Sequence, residues 1–190
     1  MQLIVFLLNF IFDAYAFLLL LRFLLEWQRA SWYNPLVRFC VQMTDPVVRP
    51  TRRFMLNIFG IDFSVFVLAW LVECIEMYAL ILLQWHYFPH FLGLALFALL
   101  SLVSKFIHIF VFSILISAVF SWFPIGYGNP VAEVAGLLAA PIVDRIRRMV
   151  PPMAGLDLSP MIGIFALYVL AQFVVSPLLL RVLRLNFFGA

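Results

Sequence analysis

Apolar residues run almost unbroken through four stretches of the chain, roughly Leu3–Leu25, Phe63–Leu83, Leu94–Phe120 and Pro160–Leu180. None shows the apolar/polar alternation of a strand, and Leu, Phe and Ala dominate them. A helix that crosses the hydrocarbon core of a bilayer needs about 20 mainly apolar residues. Each stretch therefore predicts one transmembrane helix, and the third, longer than a span requires, is expected to tilt or protrude. Polar residues collect in two long connections, Glu26–Asp62 and Ser121–Ser159. The expected fold class is all-α integral membrane, with four transmembrane helices and amphipathic interfacial helices in the long connections.

The connections carry start signals for those interfacial helices. Asn34 is suited to cap a helix with Pro35 in its first turn, leaving Leu36, Val37, Phe39, Cys40 and Met43 to enter lipid. Asp45-Pro46 reads as a second start leading to Arg49, Arg52 and Arg53, whose spacing puts them on one helical face. Pro50 would then fall in a first turn, where proline is tolerated. In the second connection Pro141 is expected to open the corresponding turn, with Asp144 able to pair with Arg147 or Arg148. Before each even-numbered span stands Gly-x-Asp-x-Ser: Gly60, Asp62 and Ser64, then Gly155, Asp157 and Ser159. A serine there can cap the span, and an Asp meets the positive end of the helix dipole.

These resemblances between the connections extend along the whole chain. A shift of 95 residues, half of the 190, places Trp27 on Trp122, Asn34-Pro35 on Asn129-Pro130, Pro46 on Pro141 and Arg52-Arg53 on Arg147-Arg148 without a gap. Two tandem units are expected, 1–95 with spans at about 3–25 and 63–83, and 96–190 with spans at about 94–120 and 160–180. Two spans per unit put both copies in the membrane in the same sense, related by an axis along the membrane normal. The second copy departs from the first at two motif positions: Ser117 stands where the first unit has Arg22, and Ala140 where it has Asp45.

Composition agrees with a lipid environment. Hydrophobic residues make up 66% of the chain and charged ones 11%, against about 25% charged in a soluble domain. The arginines Arg29, Arg38, Arg49, Arg52 and Arg53 lie in the first long connection, and Arg145, Arg147 and Arg148 in the second. Basic residues concentrate in cytoplasmic loops, so both connections are expected in the cytoplasm and both termini outside, with Arg181 and Arg184 running against that rule. Exposed arginines at the interface set topology, and can also hold anionic lipid head groups or an acidic partner. The first span holds an Ala14-Tyr15-Ala16 cleavage-like site, but no basic residue precedes it and apolar residues follow, so it is read as an anchor, not a signal peptide. Cys40 and Cys74 differ in depth and are expected as free thiols.

The exceptions to the apolar pattern carry the chemistry. Asp13 sits near the middle of the first span, Glu73 and Glu76 in the second, and Lys105 and His108 in the third, at similar depth. One charge at mid-bilayer costs roughly 3 kcal/mol on insertion scales, so the four charged groups left unpaired would cost on the order of 10 kcal/mol. They must face one another or water. A Lys105/His108 face meeting a Glu73/Glu76 face is the expected arrangement, with three acids outnumbering the lysine. The surplus acid requires a proton, the imidazolium of His108 or a bound ion.

Nothing in the sequence points to catalysis or to a cofactor. It holds no phosphate loop, no C-x-x-C pair and no Ser-His-Asp set outside the apolar runs. His86 and His90 lie four apart in the outer link, but Pro89 disturbs that spacing and a third ligand is lacking, so no metal site is expected. The expected partners are the bilayer itself, anionic lipids, and a further copy or another membrane protein, with no nucleic acid.

The run Arg22-x4-Trp27, Asn34-Pro35, Asp45-Pro46-x2-Arg49-Pro50-x-Arg52-Arg53 and Gly60-x-Asp62-x-Ser64 resembles the YggT family of bacterial membrane proteins. The second unit resembles it again through Ser121-Trp122-Phe123, Asn129-Pro130, Pro141, Arg147-Arg148 and Gly155-x-Asp157-x-Ser159-Pro160. The resemblance implies a bacterial inner-membrane location. It also implies a link to osmotic tolerance or potassium uptake in some members, and to cytochrome-complex assembly in chloroplast relatives. Two functional expectations follow. One is potassium or proton handling through Asp13, Glu73, Glu76, Lys105 and His108. The other is a membrane scaffold or assembly factor working through the arginine-bearing connections.

Overall fold

Only helices occur among the described residues. The structure is a computed structural model and describes residues 2–51, 63–85, 90–123, 128–150 and 157–184. Four helical segments are long and apolar enough to cross a bilayer. They are α1 (Gln2–Trp27), α3 (Phe63–Trp85), α4 (Phe91–Ser121) and the stretch Ser159–Leu183, which is built of α6 (Ser159–Leu170), a π-helical turn (Ala171–Val175) and α7 (Ser176–Leu183). The amphipathic helices α2 (Pro35–Thr51) and α5 (Pro130–Met149) occupy the two long connections. The π turn has a local cause. Pro177 cannot donate to the ladder, and the Ala171 carbonyl accepts from both the N–H and the Oγ of Ser176, the latter at 3.0 Å. Such widened turns keep backbone groups satisfied where water is absent.

Helix α2 corrects three expectations. It does not restart at Asp45-Pro46 but runs through both Pro46 and Pro50, which stands in its last turn and not a first one. Pro46 removes one backbone donor and crowds the turn before it. In that turn the Val41 carbonyl accepts from Thr44 Oγ1 at 3.3 Å and from Arg22 Nη1 at 3.4 Å, and the Cys40 carbonyl accepts from Thr44 Oγ1 at 2.6 Å. These contacts fix the turn before Pro46, whose missing N–H would have served the Gln42 carbonyl. Nor do all the apolar residues of α2 face lipid: Phe39 and Met43 are exposed, but Val37 and Cys40 are buried against the protein core. The second connection behaves alike, since Pro141 lies inside α5 and does not open a turn. Both cysteines are free.

Both helix starts follow the Asn-Pro signal. Asn34 Oδ1 accepts from the Leu36 N–H at 2.9 Å, and Asn129 Oδ1 from the Val131 N–H at 2.9 Å. The span starting at Ser159 is capped differently from expectation: the group that accepts its Ser159 N–H, at 2.9 Å, is the Asp157 carboxylate two residues earlier. Ser64 lies buried in the first turn of α3. Gly60, Asp62, Arg52, Arg53, Gly155 and His86 lie outside the described residues.

The core sits where α1, α3 and α4 meet above α2. Phe23 is its centre, with ring contacts to Trp27, Phe63, Phe66 and Phe106 at centroid distances of 5.7–6.1 Å. Leu19, Leu20, Leu24, Leu102 and Ile109 fill the space around it. The N-terminal half of α1 takes no part, and Leu3, Ile4, Phe6, Phe10 and Ile11 are exposed, as a lipid-facing helix permits.

A buried amide links the two amphipathic helices. Besides capping α2, Asn34 donates through Nδ2 to the Pro130 carbonyl at 3.0 Å and to Glu133 Oε2 at 2.9 Å. It is 4% exposed. Asn34→Ala would remove the cap and strand the α5 acceptors, for an expected loss of about 2 kcal/mol. Asn34→Ser keeps a cap but not the reach to α5, and should fall between the two in an unfolding titration in mixed micelles. Equal loss in both variants would mean that the link to α5 carries the whole effect.

Candidate functional site

The mid-membrane charges meet, with one exception. Lys105 of α4 lies between two acids: its Nζ is 2.6 Å from Asp13 Oδ1 of α1 and also pairs with Glu73 Oε1 of α3. Glu76, one turn along α3, joins them, and Asp13, Glu73 and Glu76 can each bring a carboxylate oxygen within 4.8 Å of the others. Glu73 and Glu76 are buried, 5% and 7% exposed, whereas the Asp13 side chain is 54% exposed. Glu76 Oε2 is buried and finds no hydrogen-bond partner among the described residues. Three helices thus supply three carboxylates to one ammonium.

His108 stands apart. It is exposed, and its Nδ1 lies 2.7 Å from the Ser104 carbonyl of its own helix. No carboxylate pairs with it among the described residues, so the surplus acid is not balanced by an imidazolium from α4.

A second buried charge lies near the end of α1 facing α2. Arg22 is 1% exposed. Its Nε bonds Glu26 at 3.0 Å, the expected i+4 partner. Its Nη1 reaches Thr44 Oγ1 at 2.7 Å and Asp45 Oδ1 at 2.9 Å. Burial acts to raise the Asp45 pKa, but the hydrogen bond and charge of Arg22, backed by Arg49 at 2.8 Å, hold it below the ordinary carboxylate range. The reach from Arg22 to Asp45 was hidden in the sequence by their separation. The one signal for it was the simultaneous loss of both groups in the second unit, where Ser117 and Ala140 stand.

The interfacial residues of the second connection form a smaller set. Arg147 Nη2 is 2.6 Å from Asp157 Oδ2, and its Nη1 is 3.4 Å from Asp144. Ser159, whose N–H donates to it, and then Arg147 hold the Asp157 carboxyl below its usual range. Arg49 is paired with Asp45, while Arg148 is exposed. The expected pairing of Asp144 with Arg147 is present, but Asp157 is the nearer partner.

Four apolar spanning helices and a buried ionic centre define a multi-pass helical membrane protein. A family model described as CCB3/YggT matches residues 1–89 and 96–178. The chain belongs to the CCB3/YggT family. It is 33% identical over 171 residues to the Escherichia coli protein named uncharacterized protein YggT, covering 90% of this chain and 88% of that one. It is 32% identical over 167 residues to uncharacterized protein PA0392 of Pseudomonas aeruginosa, covering 87% and 85%. A Haemophilus influenzae relative is 33% identical over 171 residues, covering 87% and 88%. No solved structure matches the chain.

Proposed function

We propose that this is a cation-handling protein of the bacterial inner membrane, with potassium or the proton as its ion, and that Asp13, Glu73, Glu76 and Lys105 form the site. The observation that carries this is the imbalance of charge: three carboxylates within 4.8 Å of one another share one lysine. In hydrocarbon such a set must take up positive charge from outside itself, and a proton or a bound cation is the simplest source. The exposed flank of Asp13 gives the ion an approach to the centre. Four helices enclose little space, so a conducting path would be completed by further copies packed against the exposed half of α1. The family membership supports the inner membrane, and the match of the family model in two segments supports two tandem units. The arginine-bearing connections then face the cytoplasm, and the protein is not an enzyme.

The test is ion flux into liposomes that carry the purified protein, with potassium and proton gradients in turn. Wild type should conduct, and Glu73→Gln/Glu76→Gln, shown to be folded by its elution and helicity, should fall to the level of protein-free liposomes. Equal flux in wild type and the double variant would remove the site.

A second reading is a scaffold or assembly factor acting through the connections. It is favoured by the exposure of Arg38, Arg145 and Arg148, which the fold leaves outside the ion pairs described. It predicts that replacing those three arginines abolishes function while Glu73→Gln/Glu76→Gln leaves it intact.

A further inference from the structure

A cavity of about 630 Å³ opens between the end of α4, the second half of α5 and the start of α6. Its position has a counterpart. Under the 95-residue shift it falls where Arg22 and its partners lie in the first half of the chain. Arg22 becomes Ser117 and Glu26 becomes Ser121. On the facing helix, Val41, Thr44 and Asp45 become Gly136, Ala139 and Ala140. All five substituted residues line the cavity. The same scaffold has therefore lost a guanidinium together with the groups that held it, and an open space of ligand size remains.

The rim states what the space can hold. Asp144, Arg147 and Asp157 stand at it, two carboxylates to one guanidinium. Arg147 grips Asp157 at 2.6 Å but Asp144 only at 3.4 Å. That loose contact leaves one site for an ammonium and one for an anion side by side. Apart from Ser117 and Ser121, the remaining described walls are apolar, among them Ile114, Ala118 and Leu158, and Trp122 and Met161 are exposed beside the mouth. The mouth lies where one spanning helix ends and another begins, the level at which lipid head groups sit.

We propose that this cavity binds one phospholipid with a zwitterionic, primary-amine head group, its ammonium on Asp144, its phosphate on Arg147 and the start of its acyl chains against the apolar walls. A purely anionic head group would meet Asp144 and Asp157 unfavourably, and a basic peptide would leave Arg147 opposed. The bilayer supplies the proposed lipid at the mouth itself. The proposal is independent of the ionic centre: the two share only α4, on which Lys105 lies more than two turns before the cavity residue Ile114.

The experiment uses full-length protein reconstituted with a photoactivatable phosphatidylethanolamine, with adducts mapped by mass spectrometry. Adducts are expected on cavity residues, with phosphatidylethanolamine competing for them better than phosphatidylglycerol. Ser117→Arg/Ala140→Asp should rebuild the first-unit ion pair inside the cavity and abolish those adducts while leaving labelling elsewhere unchanged. Ala140→Leu fills the space without charge, should do the same, and decides the matter if the double variant does not fold. Cavity adducts that persist in the folded variants, labelling that avoids the cavity, or equal competition by phosphatidylglycerol would overturn the proposal.

Discussion

Lys105→Met is expected to destabilise the solubilised protein by about 3–5 kcal/mol, the cost of removing one member of a buried ion pair. Methionine keeps the length and apolar stem of lysine, so the loss reads charge and not packing. The ammonium touches both Asp13 and Glu73, and Glu76 lies beside them. Without it, three carboxylates face one another inside the membrane. Adding Glu73→Gln removes one of them and should recover part of the loss, because residues in one ionic network do not act additively. The cation reading makes a further demand on the same variant. A centre with one positive charge fewer gains more from a bound cation, and a ligand that binds only the folded state stabilises it by mass action. The midpoint of Lys105→Met in an unfolding titration should therefore rise with added potassium or with acid more steeply than that of wild type. A variant as stable as wild type, insensitive to both, would show that Lys105 does not balance the acids.

Depth along a span was legible in the sequence, and rotation about it was not. Asp13, Glu73, Glu76 and Lys105 fall at similar depth in long apolar runs, and the cost of an unpaired charge there forces them together. His108 satisfied the same depth rule and yet points elsewhere, because a span that is apolar on every side gives no moment to orient it. Only packing against α1 and α3 fixes which side of α4 turns inward. Proline misled for a related reason. Pro46 and Pro141 read as helix starts, since the sequence shows the lost backbone donor but not the contacts that hold a helix together around it. In α2 Thr44 and Arg22 make such contacts to the turn before Pro46, and Arg22 belongs to a different helix. Asn34 shows the opposite case: its cap needs only residues next to it and was legible, while its reach to Pro130 and Glu133 was not.

Arg22→Ser should likewise cost about 3–5 kcal/mol, and here the chain itself indicates the remedy. Arg22 is buried with Asp45, Glu26 and Thr44 around its guanidinium. Serine abandons the Asp45 carboxylate in a partly buried place and withdraws a donor from the Val41 carbonyl, next to Pro46. The second half of the chain carries serine and alanine at the corresponding positions 117 and 140, and its α4 and α5 still pack together. Arg22→Ser/Asp45→Ala should therefore be more stable than Arg22→Ser alone, with a coupling of about 1–3 kcal/mol in the double-mutant cycle. The pH dependence has a definite sign. The Asp45 pKa is depressed in the folded state, so its stabilisation is complete above the ordinary carboxylate range and is lost as pH falls through the depressed value. Wild type should lose stability on acidification in that window, and the double variant should lose less. Additive effects of the two substitutions would instead mean that Arg22 acts through α2 backbone contacts, and that Asp45 is held by Arg49 alone.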